Sequence, residues 1–165
     1  MKPLIWTDYI DSDFSAKFTK YASRGGRLLY LNSRGGHVDH MCAALDLMDV
    51  GGWTVIGTGS IMSAAVPILA SADKGSRCAT PRTRFMIHLP KVWSFGAATS
   101  DELETESAEL RLVEDLYCGV LGTRTKKPKR FWLERMRTKK DWYLGVKEAL
   151  ELGLIDHVVR PDQAE

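Results

Sequence analysis

Apolar positions in this chain fall into short dense runs that alternate with helix-spaced stretches. Arg27-Leu28-Leu29-Tyr30-Leu31-Asn32 has no polar alternation, which predicts a strand covered on both faces and ending at Ser33-Arg34-Gly35-Gly36. Val38, Met41, Cys42, Leu45 and Met48 then recur near the 3.6-residue period, so an amphipathic helix follows, and Gly51-Gly52 stops it. Trp53-Thr54-Val55-Ile56 predicts a second strand, Gly57-Thr58-Gly59-Ser60 a turn, and the small apolar residues from about Ser63 to Ser71 a buried helix. Phe85-Met86-Ile87 reads as another strand, and Trp142-Tyr143-Leu144 as a β-like triplet. Leu103, Leu110, Val113, Tyr117 and Val120 mark a long helix. Val146 to Leu152 reads as a short helix with Gly153 as its C-cap, and Val158-Val159 as a terminal strand. Alternating β and α segments with non-alternating strands predict an α/β fold, a largely parallel sheet flanked by helices. In such folds chemistry lies at the carboxyl ends of strands. Three turns qualify: those after Asn32, Ile56 and Ile87.

Composition narrows the class. A chain of 165 residues suits one domain over 1–165, and its 44% apolar and 27% charged residues exclude general disorder. No apolar run is long enough to span a bilayer, and the N-terminus turns acidic at Asp8 before a signal-peptide core forms, so a soluble cytoplasmic protein is expected. Cys42, Cys78 and Cys118 are odd in number, widely spaced and without a CxxC, which supports neither a disulfide framework nor a zinc site. A net charge of +2 makes no global demand for nucleic acid. Locally the charge is uneven. Residues 101–115 carry seven acids against Arg111 alone, and residues 123–140 carry nine bases against Glu134 alone, blocks that suit solvated faces or partner surfaces.

Four features could carry chemistry. Proline is comfortable only in the first turn of a helix, so Pro67 implies a helix starting near Ala64 with Ser63 as its N-cap. Free N–H groups at such a start can hold an oxyanion, and Ser60 competes for the serine role. His88 ends an apolar strand before a proline turn and faces a strand-end crevice. Asp141 precedes the 142–144 triplet and reads equally as a turn carboxylate. Gly35-Gly36 serves a plain turn, a phosphate cradle or an oxyanion donor; neither a Walker-A Lys-Ser/Thr nor a GxGxxG is present to favour nucleotide. His37 and His40 flank Asp39 at i, i+3, but the sequence places no third ligand, so no metal is expected.

In combination these segments resemble the ClpP family of caseinolytic serine peptidases. The family's NSPGG turn corresponds to Asn32-Ser33-Arg34-Gly35-Gly36, and its G-x-x-x-S nucleophile region to Gly59-Ser60-Ile61-Met62-Ser63 followed by Ala64-Ala65. Its KGxR and LPxSRxMIHxP segments correspond to Lys74-Gly75-Ser76-Arg77 and to Thr80-Pro81-Arg82-Thr83-Arg84-Phe85-Met86-Ile87-His88-Leu89-Pro90. Its C-terminal signature corresponds to Lys140-Asp141-Trp142-Tyr143-Leu144 and Glu148-Ala149, ending in Gly153-Leu154-Ile155-Asp156. The resemblance runs over roughly residues 4–159.

What the resemblance implies is a ClpP/crotonase-like fold and a serine endopeptidase that needs no cofactor. Ser63 would be the nucleophile, His88 the general base and Asp141 the residue orienting His88, with the backbone N–H groups of Gly36 and Ala64 as the oxyanion hole. The family acts on peptides or unfolded polypeptides inside a chamber of heptameric rings, usually stacked as a tetradecamer, and partners an AAA+ unfoldase or related ClpP subunits. The alternatives are a catalytically silent ring subunit and a crotonase-type acyl-CoA enzyme. The departures bear on assembly. The chain begins almost at the first strand, with little of the extension that helps engage an unfoldase. Arg34 stands where the turn proline is usual, the Gly-rich handle strand is here Lys91-Val92-Trp93-Ser94-Phe95-Gly96, and Lys139 and Lys140 stand where an acid–base pair often joins two rings.

Overall fold

The computed structural model describes residues 2–91, 99–138 and 140–160. At its centre β1 (Leu4–Trp6), β2 (Leu28–Ser33), β3 (Thr54–Met62), β4 (Arg77–Ala79) and β7 (His157–Val158) lie side by side in that order, every pair parallel. β5 (Arg84–Ile87) pairs in parallel with the C-terminal part of β3, and β6 (Trp142–Leu144) runs antiparallel to β5. The helices are α1 (Ser12–Ser23), α2 (Val38–Met48), α3 (Ala65–Ala70), α4 (Ser100–Arg124), α5 (Lys129–Thr138) and α6 (Val146–Leu152). The α/β architecture expected from the pattern is the one formed. Gly153 ends α6 in the left-handed region at φ 79°. Among the described residues, no helix is long and apolar enough to cross a membrane.

β3 departs from the expected strand and turn. The 57–60 segment is not a turn but strand, and β3 runs on to Met62. Its first half pairs with β4 and its second half with β5, so one long strand splits the sheet and carries the chain to the site. The glycines that suggested a turn have another cause. Between Leu31 and Ser33 on β2, the register on β3 advances from Gly57 to Ile61, so β3 bulges there. Asn32 fills the bulge by accepting a hydrogen bond from the Ser60 N–H at 2.9 Å. Ser60 therefore belongs to the strand.

Four elements had no predicted range: β1, α1, β4 and α5. In α1, Asp11 accepts the Phe14 N–H as N-cap, and Phe14, Phe18 and Ala22 form a buried i, i+4 stripe. Phe14 and Phe18 continue an aromatic row in which Trp6 meets Phe14 edge to face and Phe14, Phe18 and Trp53 stack, with centroids 5.3, 5.2 and 4.7 Å apart. Such pairs add about 0.5–1.5 kcal/mol each beyond their area burial. β4 is only three residues long. The basic stretch contains α5, whose buried Trp132 and Met136 hide among cations.

The two charge blocks meet each other. α4 and α5 pack together, with Lys129 paired to Asp115 and Arg137 to Glu114 at 3.6 Å. That end of each block is thus partly spent inside the chain rather than offered to partners. Lys139, and residues 92–96 of the expected handle strand, lie outside the described residues. His37 and His40 stand edge to face, and His40 Nδ1 is 2.9 Å from Ser15 Oγ. Cys42, Cys78 and Cys118 are free thiols.

Candidate active site

Strand ends assemble the site. β2, β3 and β5 are parallel neighbours, so their C-terminal residues arrive at one edge: the 33–36 turn, then Ser63 after Met62, then His88 after Ile87. The middle turn of the three expected is thus the one after Met62, not the one after Ile56. The antiparallel register of β5 and β6 sets Ile87 opposite Trp142, which puts the residue after one beside the residue before the other: His88 beside Asp141. Trp142 is buried against Phe131 and Trp132, with Arg135 5.0 Å over its ring, so α5 holds the strand that carries Asp141.

Ser63 is not an N-cap. Ala64 takes that position before α3, and Ser63 sits one residue earlier at φ 51°, the single non-glycine residue with positive φ among those described. This sharp strand-to-helix elbow is strained for a residue with a Cβ. It is fastened on both sides. The Ser63 N–H donates to the Met86 carbonyl at 2.8 Å, and the Tyr117 hydroxyl donates to the Ser63 carbonyl at 3.1 Å. Pro67 still falls within the first turn of α3.

Ser63 Oγ lies 2.8 Å from His88 Nε2. With the imidazole proton on Nδ1, Nε2 can accept the serine proton. Partial burial holds His88 below its ordinary value of 6.5, Lys91 lowers it further, and Asp141 pulls the other way. Burial and Lys91 thus both favour the neutral imidazole. Asp141 is brought to the site but not into hydrogen-bonding contact. Its Oδ1 is 3.8 Å from His88 Nδ1 and 3.5 Å from Lys91 Nζ, and His88 Nδ1 is buried without a partner.

Gly35 and Gly36 are where they are because nothing larger fits. A Cβ on Gly35 would stand 2.6 Å from Ser63 Cβ, and one on Gly36 would stand 2.3 Å from the Ile10 carbonyl oxygen. Without side chains the turn lies directly against the elbow. The N–H groups of Gly36 and Ala64 donate no hydrogen bond among the described residues, and both residues line one cavity with Ser63 and His88. Two backbone donors without a partner among the described residues, beside the Ser63 hydroxyl, form an arrangement able to hold a tetrahedral oxyanion.

The chain matches the Clp protease family over residues 22–162. This chain belongs to the Clp protease family. Among the relatives of this Clp protease family member is the "ATP-dependent Clp protease proteolytic subunit" of Paracoccus denitrificans, 33% identical over 136 residues. That match covers 80% of this chain and 65% of the relative's length, so the chain spans under two thirds of it. The fold is that of a ClpP1 mutant from Listeria monocytogenes, with a TM-score of 0.84 over 99% of this chain and 94% of that one, at 23% identity.

Two residues of the candidate site escaped the sequence reading. Tyr117 was visible only as an apolar mark on a helix; the signal was its hydroxyl, which needs a partner when buried. Lys91 was visible only as the start of a handle strand.

Proposed function

We propose that this chain is a serine endopeptidase that needs no ATP for the chemical step, folded as one domain over 1–165. Ser63 is the nucleophile, His88 the general base, Asp141 the positioning acid, and the Gly36 and Ala64 N–H groups the oxyanion hole. The observation that carries this reading is the 2.8 Å approach of Ser63 Oγ to His88 Nε2 on a strained, doubly fastened elbow. As Ser63 Oγ bonds to the scissile carbonyl carbon, its proton passes to His88 Nε2 and the carbonyl oxygen becomes an oxyanion between the two N–H groups. Collapse breaks the C–N bond, and His88 gives the proton to the leaving amine. Water, deprotonated by His88, then cleaves the acyl-serine ester. Each oxyanion donor contributes roughly 2.7–4 kcal/mol to the barrier reduction.

The substrates are peptides or unfolded polypeptides, and the working form is a ring of copies, heptameric and stacked as a tetradecamer, fed by an AAA+ unfoldase. Exposed Leu103, Leu112 and Leu116 on α4 support assembly, because a ring contact would cover them. The open His88–Asp141 leg favours one other reading, a catalytically silent ring subunit. The test is hydrolysis of a fluorogenic peptide alongside native mass. Ser63→Ala is expected to lower kcat by at least about 10⁴-fold while native mass stays that of the wild-type oligomer. An inactive wild type of ring size would favour the silent subunit, and loss of activity in Ser60→Ala but not Ser63→Ala would refute the assignment.

A further inference from the structure

The cavity beside Ser63 encloses about 340 Å³, and among the described residues its lining carries charge of only one sign. Its apolar lining includes buried Met41 and Tyr117 and half-buried Val38. Its charged lining is Arg34 and Lys91, both exposed, with no carboxylate among the lining residues. Arg34 makes no ion pair among the described residues. Among the described residues Lys91 pairs with Asp141 at 3.5 Å, an acid that lies outside the cavity lining and 3.8 Å from His88. The sequence that follows Lys91, residues 92–98, contains no acid. The two cations approach the cavity from different elements. Arg34 belongs to the turn that presents the Gly36 N–H, and Lys91 follows His88-Leu89-Pro90. Both cations line the same cavity as Ser63.

We propose that this site selects substrates with a glutamate or aspartate next to the scissile bond, the carboxylate pairing with Arg34 or Lys91. The inference rests on the peptidase reading above and names its substrate class. A cleft lined by one sign of charge concentrates ligands of the other, and the planar guanidinium fork matches a carboxylate. A lysine or arginine in the same place meets two like charges, which discriminates against it. An exposed pair is worth at most about fivefold, so two cations multiply to at most about 25-fold, and a preference of about tenfold is expected. Lys91 adds a coupling. A substrate carboxylate that draws Lys91 to itself removes the cation competing for Asp141, so part of the preference falls on kcat rather than KM.

The experiment uses fluorogenic peptides identical except for Glu, Gln or Lys at one residue on either side of the scissile bond, cleaved by the full chain. Because glutamate and glutamine have the same shape, their kcat/KM ratio reads charge and cancels any general change in activity. The expected ratio is about tenfold for wild type, lower in Arg34→Gln and in Lys91→Gln, near one in the double variant, and below one in the double charge reversal Arg34→Glu/Lys91→Glu. Salt should move the wild-type ratio toward one. Turnover with a wild-type ratio of one, or a ratio untouched by the double substitution, would overturn the preference and leave the peptidase reading standing. A second readout separates the two. Anisotropy of the same labelled peptides on Ser63→Ala measures binding without chemistry. Tighter binding of the Glu peptide with no wild-type turnover would uphold the acid-preferring cleft and sink the peptidase; equal binding of Glu and Gln peptides would overturn the cleft.

Discussion

Asp156 and Asp141 each immediately precede a strand and each face a nitrogen-bearing side chain, yet the two pairs are built differently. Asp156 takes Arg77 Nε on Oδ2 at 2.8 Å and Nη2 on Oδ1 at 2.5 Å, and Oδ2 also accepts the Gly75 N–H at 2.7 Å. Arg77 then spends Nη1 on the carbonyls of Gly153 and Arg124, tying β4, the residue after α6 and the end of α4 into one knot. The side chains are 8% and 16% exposed. Asp141 is 45% exposed and stands between His88 and Lys91 without a hydrogen bond to either. Where the fold needs a fixed corner it uses a closed, forked, desolvated pair. At the site it leaves the acid about 1 Å short of the imidazole, a gap that catalytic hydrogen bonds commonly close when substrate binds.

Exchanging the two acids' fates would break this comparison. Asp141→Asn is expected to lower kcat by roughly a thousandfold, because an amide favours the wrong imidazole tautomer, while moving Tm by no more than about 2 °C. Asp156→Ala is expected to do the reverse. It leaves Arg77 buried without its partner, costing about 3 kcal/mol or more, which lowers Tm by roughly 10 °C in a chain of this size. Its kcat per folded molecule should stay within about threefold of wild type. Thermal unfolding and steady-state rates on the same preparations check both. A large Tm loss in the first variant, or none in the second, contradicts the account.

The pH dependence sharpens the same contrast. Burial pushes the Asp156 carboxyl up, but Arg77 and the Gly75 N–H outweigh it and hold the group below 3.8. Its contribution to stability is thus full above the unfolded value of about 3.9 and is lost as pH falls through the lower folded value. To act as a base His88 must be neutral, and burial and Lys91 hold its value below 6.5, so activity is expected to fall as pH drops through that lowered value. Lys91→Gln removes one cause that lowers His88, so the acid limb of the rate profile should shift to higher pH, with unfolding by circular dichroism unchanged. A limb that stays in place would show that Lys91 does not act on His88.

Much of this was legible in the sequence because short-range pattern encodes it. The buried run at 28–31, the 3.6 spacing from Val38 to Met48 and the Gly153 cap each announce an element through local physics. The site residues could be named from their motifs and their strand ends. What could not be read is what depends on pairing. The β3 bulge is set by Asn32 from the neighbouring strand, so the glycines at 57 and 59 looked like a turn. Ser63 looked like an N-cap because Pro67 limits where the helix starts only to within a turn. α5 was hidden because its charged face outweighed Trp132 and Met136 in composition. The 3.8 Å gap at Asp141 and the nearby Lys91, 3.5 Å from the same oxygen, are contacts that no spacing of residues announces.

The central claim is that Ser63 is an activated nucleophile. The most direct measurement is to treat the full chain with a serine-reactive fluorophosphonate at neutral pH and map the adduct by peptide mass spectrometry. The account predicts one stoichiometric adduct on Ser63, absent in Ser63→Ala and strongly slowed in His88→Ala. An unlabelled wild type, or an adduct on Ser60 instead, would contradict it.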